Sequence, residues 1–294
     1  MLKHSAQFNL VLQHIESDID GDLTVDKLSA VACLSKFHFH RLFSAHMGIS
    51  VFNLVKMLRL KRAAYQLAFR KDIKIIDIAL MNGYDSAAAF SRSFSSVFTQ
   101  SPRKFRNNAN WTLWYQKYQT ILKLRNEKMH FNENTAIEII DFQETNVAVL
   151  EHRGAPNLIG NSIATFISWR KEHGLPPSKS KTFNFIYDDP NITPPNEYRF
   201  DIACGISGDV CENAQGVIKK MIPAGLCAKY RLLGSDDRLG AVIQFLYSQW
   251  LASSGFELGD FPLFIERVSF YPDVNEAETI TDIYLPVLKK LAAN

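Results

Sequence analysis

Cysteine is scarce, and its placement excludes several chemistries. Only Cys33, Cys204, Cys211 and Cys227 occur in 294 residues. Cys204 and Cys211 are seven apart with no histidine beside them, and His38 and His40 near Cys33 have neither the ligand count nor the spacing of a zinc finger. Four free thiols fit a reducing cytoplasm. The opening stretch MLKHSAQFNLVLQHIE has no long apolar core and no small-residue cleavage site, and no window approaches eighteen apolar residues without a charge. Neither secretion nor membrane spanning is expected. Glycine-rich phosphate loops are missing, since Gly205, Gly208 and Gly216 fit neither a Walker nor a dinucleotide pattern. Catalytic pairs are missing too. Glu151 and His152 are neighbours, so on a strand they point to opposite faces, and His173 stands before a glycine at a helix end. No cofactor, metal or catalytic residue is expected.

Net charge is small as well, at +3, but it is unevenly placed. Residues 1–107 hold 15 basic against 8 acidic side chains, and residues 108–294 hold 18 against 22. That division fits one domain facing nucleic acid and one that does not. The length allows two domains.

What the chain does have begins with LTVDKLSAVACLSKFHFHRLF, Leu23 to Phe43. Leu23, Val25, Leu28, Val31 and Ala32 fit one face of a short helix. Ser35 is a plausible N-cap for a second helix with Phe39, Leu42 and Phe43 on its apolar side. Helix, tight turn and helix predict a helix-turn-helix. Lys36, Phe37, His38, His40 and Arg41 are its candidate phosphate and base contacts. An echo follows about fifty residues later, where Phe39, Arg41 and Phe43 match Phe90, Arg92 and Phe94 at one fixed offset, and Ser35 matches Ser86. Leu28 matches Ile78 one residue short of that offset, so the second turn is longer, with Gly83 inside it. Ala87, Ala88, Ser91 and Arg92 are the candidate contacts of this second head. Between the heads, VFNLVKMLRLKRAAYQLAFR after Ser50 predicts a long helix whose Lys56, Arg59, Lys61 and Arg62 can touch phosphates.

Residues Phe8 to Arg106 resemble the DNA-binding domain of the AraC/XylS transcription regulators. The resemblance rests on Ile78-Ala79, Gly83-Tyr84, Ser86, Phe90, Arg92, Phe94, Ser101-Pro102 and Arg106. It implies seven helices, with two recognition helices held by a linker helix so that they enter successive major grooves of double-stranded DNA. Thr99 stands where that family commonly has glycine, so a last turn needing φ > 0 is expected to be altered.

Beyond Asn107 to Asn110, the run Trp111 to Lys128 is helical, with Trp114, Tyr118, Ile121 and Leu122. Its aromatic residues either clamp two domains or cover the edge of one core. The domain boundary is expected within 108–132. From Thr135 the period becomes two, with strands around Ile137–Phe142 and Asn146–His152, a helix Leu158 to His173, and strands Phe183–Tyr187 and Tyr198–Ile206. The order repeats from Ile222, through a helix Gly240 to Ser253, to strands Leu263–Phe270 and Asp282–Pro286. A duplicated β-β-α-β-β unit follows, its two sheets leaving a groove at a pseudo-twofold axis.

On the strand PLFIERVSF, Leu263 and Ile265 take one face and Phe264, Glu266 and Val268 the other. A carboxylate among apolar neighbours is costly unless paired. Two readings of Glu266 stay open: it faces solvent or an ion pair near Arg267, or it awaits a cationic or hydrogen-bonding ligand in a groove lined by Phe264, Trp169, Tyr187, Tyr230 and Tyr284. Residues Ile137 to Leu291 resemble the GyrI-like effector-binding domain through Glu151-His152-Arg153-Gly154, Trp169, Phe261-Pro262-Leu263 into Glu266, and Ile283-Tyr284-Leu285-Pro286. That family's glutamate matching Glu266 contacts lipophilic cations in some members, whereas Arg267-Val268 here replaces the usual neighbouring tyrosine.

The fold class expected is therefore α+β in two domains: an all-α double helix-turn-helix domain over 1–107, a helical connector over 108–132, and a duplicated β-β-α-β-β, GyrI-like domain over 133–294. The function expected is a bacterial, cytoplasmic, sequence-specific transcription regulator that senses a small, cationic or aromatic effector. Two alternatives use the same groove, one as a protein-interaction module and one as a small-molecule hydrolase with Glu266 as general base. RNA polymerase is a further candidate partner, and a monomer or weak dimer is expected.

Overall fold

The computed structural model describes residues 5–127 and 136–290. Residues 128–132 of the connector, and Thr135 and Leu291, lie outside them. The chain divides into two compact units. Unit 1 comprises the described residues up to Arg125 together with the segment Tyr271–Thr279, and unit 2 comprises the remainder.

Unit 1 is helical: α1 (Ser5–Ser17), α2 (Val25–Val31), α3 (Lys36–Met47), α4 (Val51–Phe69), α5 (Ile75–Met81), α6 (Ala87–Phe98), α7 (Pro102–Asn107) and α8 (Trp111–Glu127). Serine caps recur where the repeat predicts them. Ser35 Oγ accepts from the His38 amide and Ser86 Oγ from the Ala89 amide, and Ser50 and Ser101 cap α4 and α7 in the same way. The buried anchors of α3, Phe39, Phe43 and Met47, match Phe90, Phe94 and Phe98 of α6 at the same offset.

The left-handed C-caps are paired as well, Gly48 at φ +67° with Thr99 at φ +50°. The expected change at Thr99 therefore does not occur. The backbone keeps the left-handed turn with a β-branched residue, at a cost of about 1–2 kcal/mol, because Phe94, Phe98 and the following Ser101 cap fix the path on both sides. The aromatic rings of α8 cover the edge of this core: Trp111 stacks on Phe69 at 5.5 Å and meets Phe105 at 5.4 Å, and Trp114 stacks on Tyr118 at 5.2 Å.

Unit 2 contains β1 (Glu138–Phe142), β2 (Thr145–Arg153), α9 (Ile159–Glu172), β3 (Thr182–Ile186), β4 (Arg199–Gly205), β5 (Ile218–Ile222), β6 (Gly225–Leu233), α10 (Leu239–Phe245), α11 (Leu251–Ser253), β7 (Phe256–Leu258), β8 (Leu263–Arg267) and β9 (Ile280–Lys289). The duplication holds, with one difference. The halves form a single antiparallel sheet in the order β1-β6-β9-β8-β3-β4-β2-β5, with β7 paired to β9, curled as a half-barrel. Each repeat's first strand pairs with the other repeat, β1 with β6 and β5 with β2, and β3 joins β8 at the centre. The expected helix Gly240–Ser253 is interrupted by a π-helical turn at Leu246–Trp250.

Period-two alternation sorts the side chains. One face carries Ala148, Leu150, Ile202 and Cys204 under Phe166 and Trp169 of α9. It also carries Ala228, Leu232, Ile265, Ile283 and Leu285 under Val242 and Phe245 of α10. The opposite face gathers Val147, Val149, Phe183, Phe185, Phe264 and Tyr284.

Candidate functional site

The DNA-facing candidates come first. On α3, Lys36, Phe37, His40 and Arg41 are exposed while Phe39 and Phe43 are buried, so one helix face holds the core and the other is free to read. Phe37 is 84% exposed. Lys36 forms an ion pair with Asp26 of α2. On α6, Ala88 and Arg92 are exposed and Ala87 and Ser91 half-buried.

Two expected phosphate contacts are placed elsewhere by the fold. Arg59 donates to the carbonyls of Ile19 at 2.8 Å, Gly21 at 2.7 Å and Gly83 at 3.2 Å. It ties the α1–α2 turn to the α5–α6 turn and lies on the floor of a cleft of about 1010 Å³. Burial pulls its guanidinium below the ordinary arginine value. Gly83 has φ +69°, and a Cβ there would lie 2.5 Å from Arg59 Cζ, so glycine serves both backbone and clamp.

Lys61 is buried, with Nζ 2.6 Å from Glu276 Oε1. Arg125 also donates to Glu276 Oε1 at 3.0 Å and to Glu16 at 2.6 Å. Arg70 Nε donates to Asp273 at 2.6 Å. Glu276 and Asp273 sit in Tyr271–Thr279, 215 residues from Lys61 and 203 from Arg70 in sequence, and a lysine amid basic neighbours on a helix gives no local sign of them.

In unit 2 the central candidate is Glu266 on β8, 9% exposed. The alternation places Phe264, Glu266 and Tyr284 together. The Phe264 and Tyr284 rings stack at 4.9 Å, and the Tyr284 hydroxyl donates to Glu266 Oε2 at 3.3 Å. Burial and the Glu266 charge push that hydroxyl above the usual tyrosine value, which keeps it a donor. Glu266 is also ion-paired, to Lys181 at 3.0 Å, beside the Thr182–Arg267 strand pair. Arg267, one residue on, faces the other side and donates to Asn184 Oδ1 at 2.8 Å. Phe142 of β1 adds its edge to Phe264 at 4.9 Å and to Tyr284 at 5.3 Å.

Two expected lining residues, Trp169 and Tyr230, are not part of this cluster. Trp169 is buried on the helix-covered face, stacked on Phe166 and His173. Tyr230 packs on that same face beside Ala228 and Leu232. Strand register puts Tyr230 on that face opposite Ile283, and Trp169 lies there because α9 covers it. Tyr187 shares the face of Phe264, but its hydroxyl donates to Asp201 at 2.8 Å. Burial and that bond raise it to about 12. Asp201 is fully buried and accepts from Arg153 and Lys220, each at 2.7 Å. At the matching place in the second repeat, Asp282 accepts from Arg231 at 2.7 Å and lies 3.2 Å from Lys229. Sequence reasoning missed Lys181, Phe142 and these aspartate clusters, because strand pairing alone brings them together: β3–β8 for Lys181, β1–β6 for Phe142, β2–β4 and β2–β5 for Asp201, and β6–β9 for Asp282.

Among the described residues no group of three metal-ligating side chains converges, and no helix is long and apolar enough to cross a membrane.

A helix-turn-helix domain model matches residues 28–108, and a GyrI-like small molecule binding domain model matches residues 135–288. Over 152 residues the chain is 36% identical to the probable transcriptional regulator YgiV of Escherichia coli K12, covering 51% of this chain and 95% of that protein. Over 92 residues it is 37% identical to the uncharacterized HTH-type transcriptional regulator YbfP of Bacillus subtilis, covering 31% of each. The crystal structure of the EcmrR C-terminal domain aligns with a TM-score of 0.43 at 17% identity, over 53% of this chain and 98% of that one. The chain belongs to the GyrI-like small-molecule-binding family and carries that domain behind a helix-turn-helix, DNA-binding domain of the transcriptional-regulator type.

Proposed function

We propose that the chain is a bacterial, cytoplasmic regulator of the AraC/XylS type, which reads two adjacent major-groove segments with α3 and α6 and responds to a small aromatic, neutral or cationic effector at Glu266. The observation that carries the DNA half is Arg59. Its three carbonyl bonds fix the two heads to one linker helix, so their spacing is set before DNA is met. Arg41, His40 and Arg92 are assigned to base edges, Lys36 to phosphate, and Phe37, Ala87, Ala88 and Ser91 to the surrounding contact. Arg41→Ala should cost about 1–3 kcal/mol on the cognate site and relax the preference there. Equal losses on cognate and random duplexes, measured by fluorescence anisotropy, would remove Arg41 from base reading.

The effector half rests on a buried carboxylate beside stacked rings. A carboxylate in such surroundings favours a positive partner, and the half-buried ring of Phe142 beside those rings adds about 0.5–2 kcal/mol of cation–π attraction. Calorimetric titration of a cationic dye panel should show weaker binding to Glu266→Gln than to wild type. Matching affinities would dismiss Glu266 as the recognition group.

Coupling between the two activities requires the effector to prefer one arrangement of the DNA-binding unit. We assign it two covalent routes. One is the 108–132 connector. The other is Tyr271–Thr279, which leaves β8 shortly after Glu266, contributes Glu276 to unit 1, and re-enters β9 ahead of Tyr284. RNA polymerase as a partner, and a monomer or weak dimer as the working form, belong to this same reading.

A further inference from the structure

The Glu266 carboxylate already holds a cation, and the two partners are unequally buried. Lys181 Nζ lies 3.0 Å from Glu266 Oε1 and 3.3 Å from Oε2. The glutamate side chain is 11% exposed, whereas that of Lys181 is 68% exposed. Lys181 stands just ahead of β3, whose Phe183 pairs with Glu266, so its ammonium reaches the carboxylate from the rim of the sheet. The other cations of this face have carboxylates of their own: Arg231 and Lys229 at Asp282, Arg153 and Lys220 at Asp201.

We propose that Lys181 is a tethered cation that an effector must displace from Glu266, and that it sets the selectivity of the site for aromatic monocations over small hydrophilic amines. The inference rests on Glu266 as the recognition group. A small amine offers the carboxylate nothing that Lys181 does not, and the tether gives the lysine an effective concentration of about millimolar or more. Such an amine therefore loses the competition at ordinary concentrations. Phe264 and Tyr284 are buried against each other, so a cation carried on an aromatic frame adds contact with the half-buried Phe142 ring that packs on both, which the aliphatic lysine stem does not supply, and it wins. Displacement itself is cheap. An exposed lysine returns to water readily, so the pair it leaves is worth a factor of about five or less in binding.

The test uses the full chain and two probes, crystal violet, an aromatic monocation, and its uncharged leuco form. Lys181→Met should bind crystal violet about fivefold more tightly than wild type, with the gain shrinking as sodium chloride is raised. Its affinity for the leuco form should be unchanged. Lys181→Arg, which keeps a tethered cation, should stay at the wild-type value for both. Glu266→Gln should lose crystal violet affinity. If Lys181→Met binds crystal violet no more tightly than wild type while Glu266→Gln still loses, the displacement role is overturned and the Glu266 reading stands. If crystal violet binds wild type and Glu266→Gln equally, or binds neither, the displacement role and the reading of Glu266 as a cation-recognition group fall together. Equal tightening toward the leuco form would also overturn the proposal, because steric relief and not charge would then explain it. Thermal unfolding of each variant separates loss of fold from loss of binding.

Discussion

Glu276→Ala should destabilise the helical unit by about 3–5 kcal/mol, the range expected when one partner of a buried ion pair is removed. Glu276 is 7% exposed and accepts from both Lys61 and Arg125. Arg125 in turn donates to Glu16, so acids and bases alternate along one buried chain of contacts. The Lys61 ammonium also lies 5.0 Å from the Tyr118 ring centre and 5.3 Å from that of Tyr271. Taking away the carboxylate leaves two desolvated cations facing each other across the gap it filled. A chemical denaturation curve followed by the tryptophans of α8 reads the loss directly. Glu144→Ala, at an exposed position, should stay within about 0.5 kcal/mol of wild type. Coincident curves for the two variants would mean that the network contributes no net stability. The Lys61→Met, Glu276→Leu double variant should recover much of the loss, because an apolar pair of similar volume removes both charges together. A fragment ending at residue 127 lacks Tyr271–Thr279. It should unfold at lower denaturant than the same helices do in the full chain.

Arg59→Met should cost unit 1 about 3 kcal/mol and lower its melting temperature by roughly 10 °C. Three backbone carbonyls, at Ile19, Gly21 and Gly83, would lose a charged donor at once. The two turns they belong to lead into the first and second reading heads. The DNA measurement then separates a clamp from a phosphate contact. Each phosphate contact contributes about 0.9 to the slope of log affinity against log salt. At a temperature where the variant is folded, its affinity should fall on cognate DNA while its salt slope stays at the wild-type value. A slope smaller by about one unit would put Arg59 on the phosphate backbone and overturn the clamp.

The sequence by itself determined the two-part architecture of this protein. Phe39, Phe43 and their echoes Phe90 and Phe94 mark the inner faces of two helices because burial imposes a 3.6-residue period. Leu263, Phe264, Ile265 and Glu266 divide between two faces because a strand imposes a period of two. Both rules act between near neighbours, so they survive in a linear text, as do the serine caps at Ser35, Ser50, Ser86 and Ser101. The tertiary structure alone decided which charged groups meet. Lys61 and Arg59 look like phosphate ligands on an exposed basic helix until Glu276 and the carbonyls of two distant turns arrive. Lys181 meets Glu266 only because β3 pairs with β8. Tyr230 leaves the groove because parity is counted from a register that the partner strand sets, and Trp169 because its helix covers the opposite face of the sheet. Ion pairs and strand registers join residues tens to hundreds of positions apart, and no local period records them.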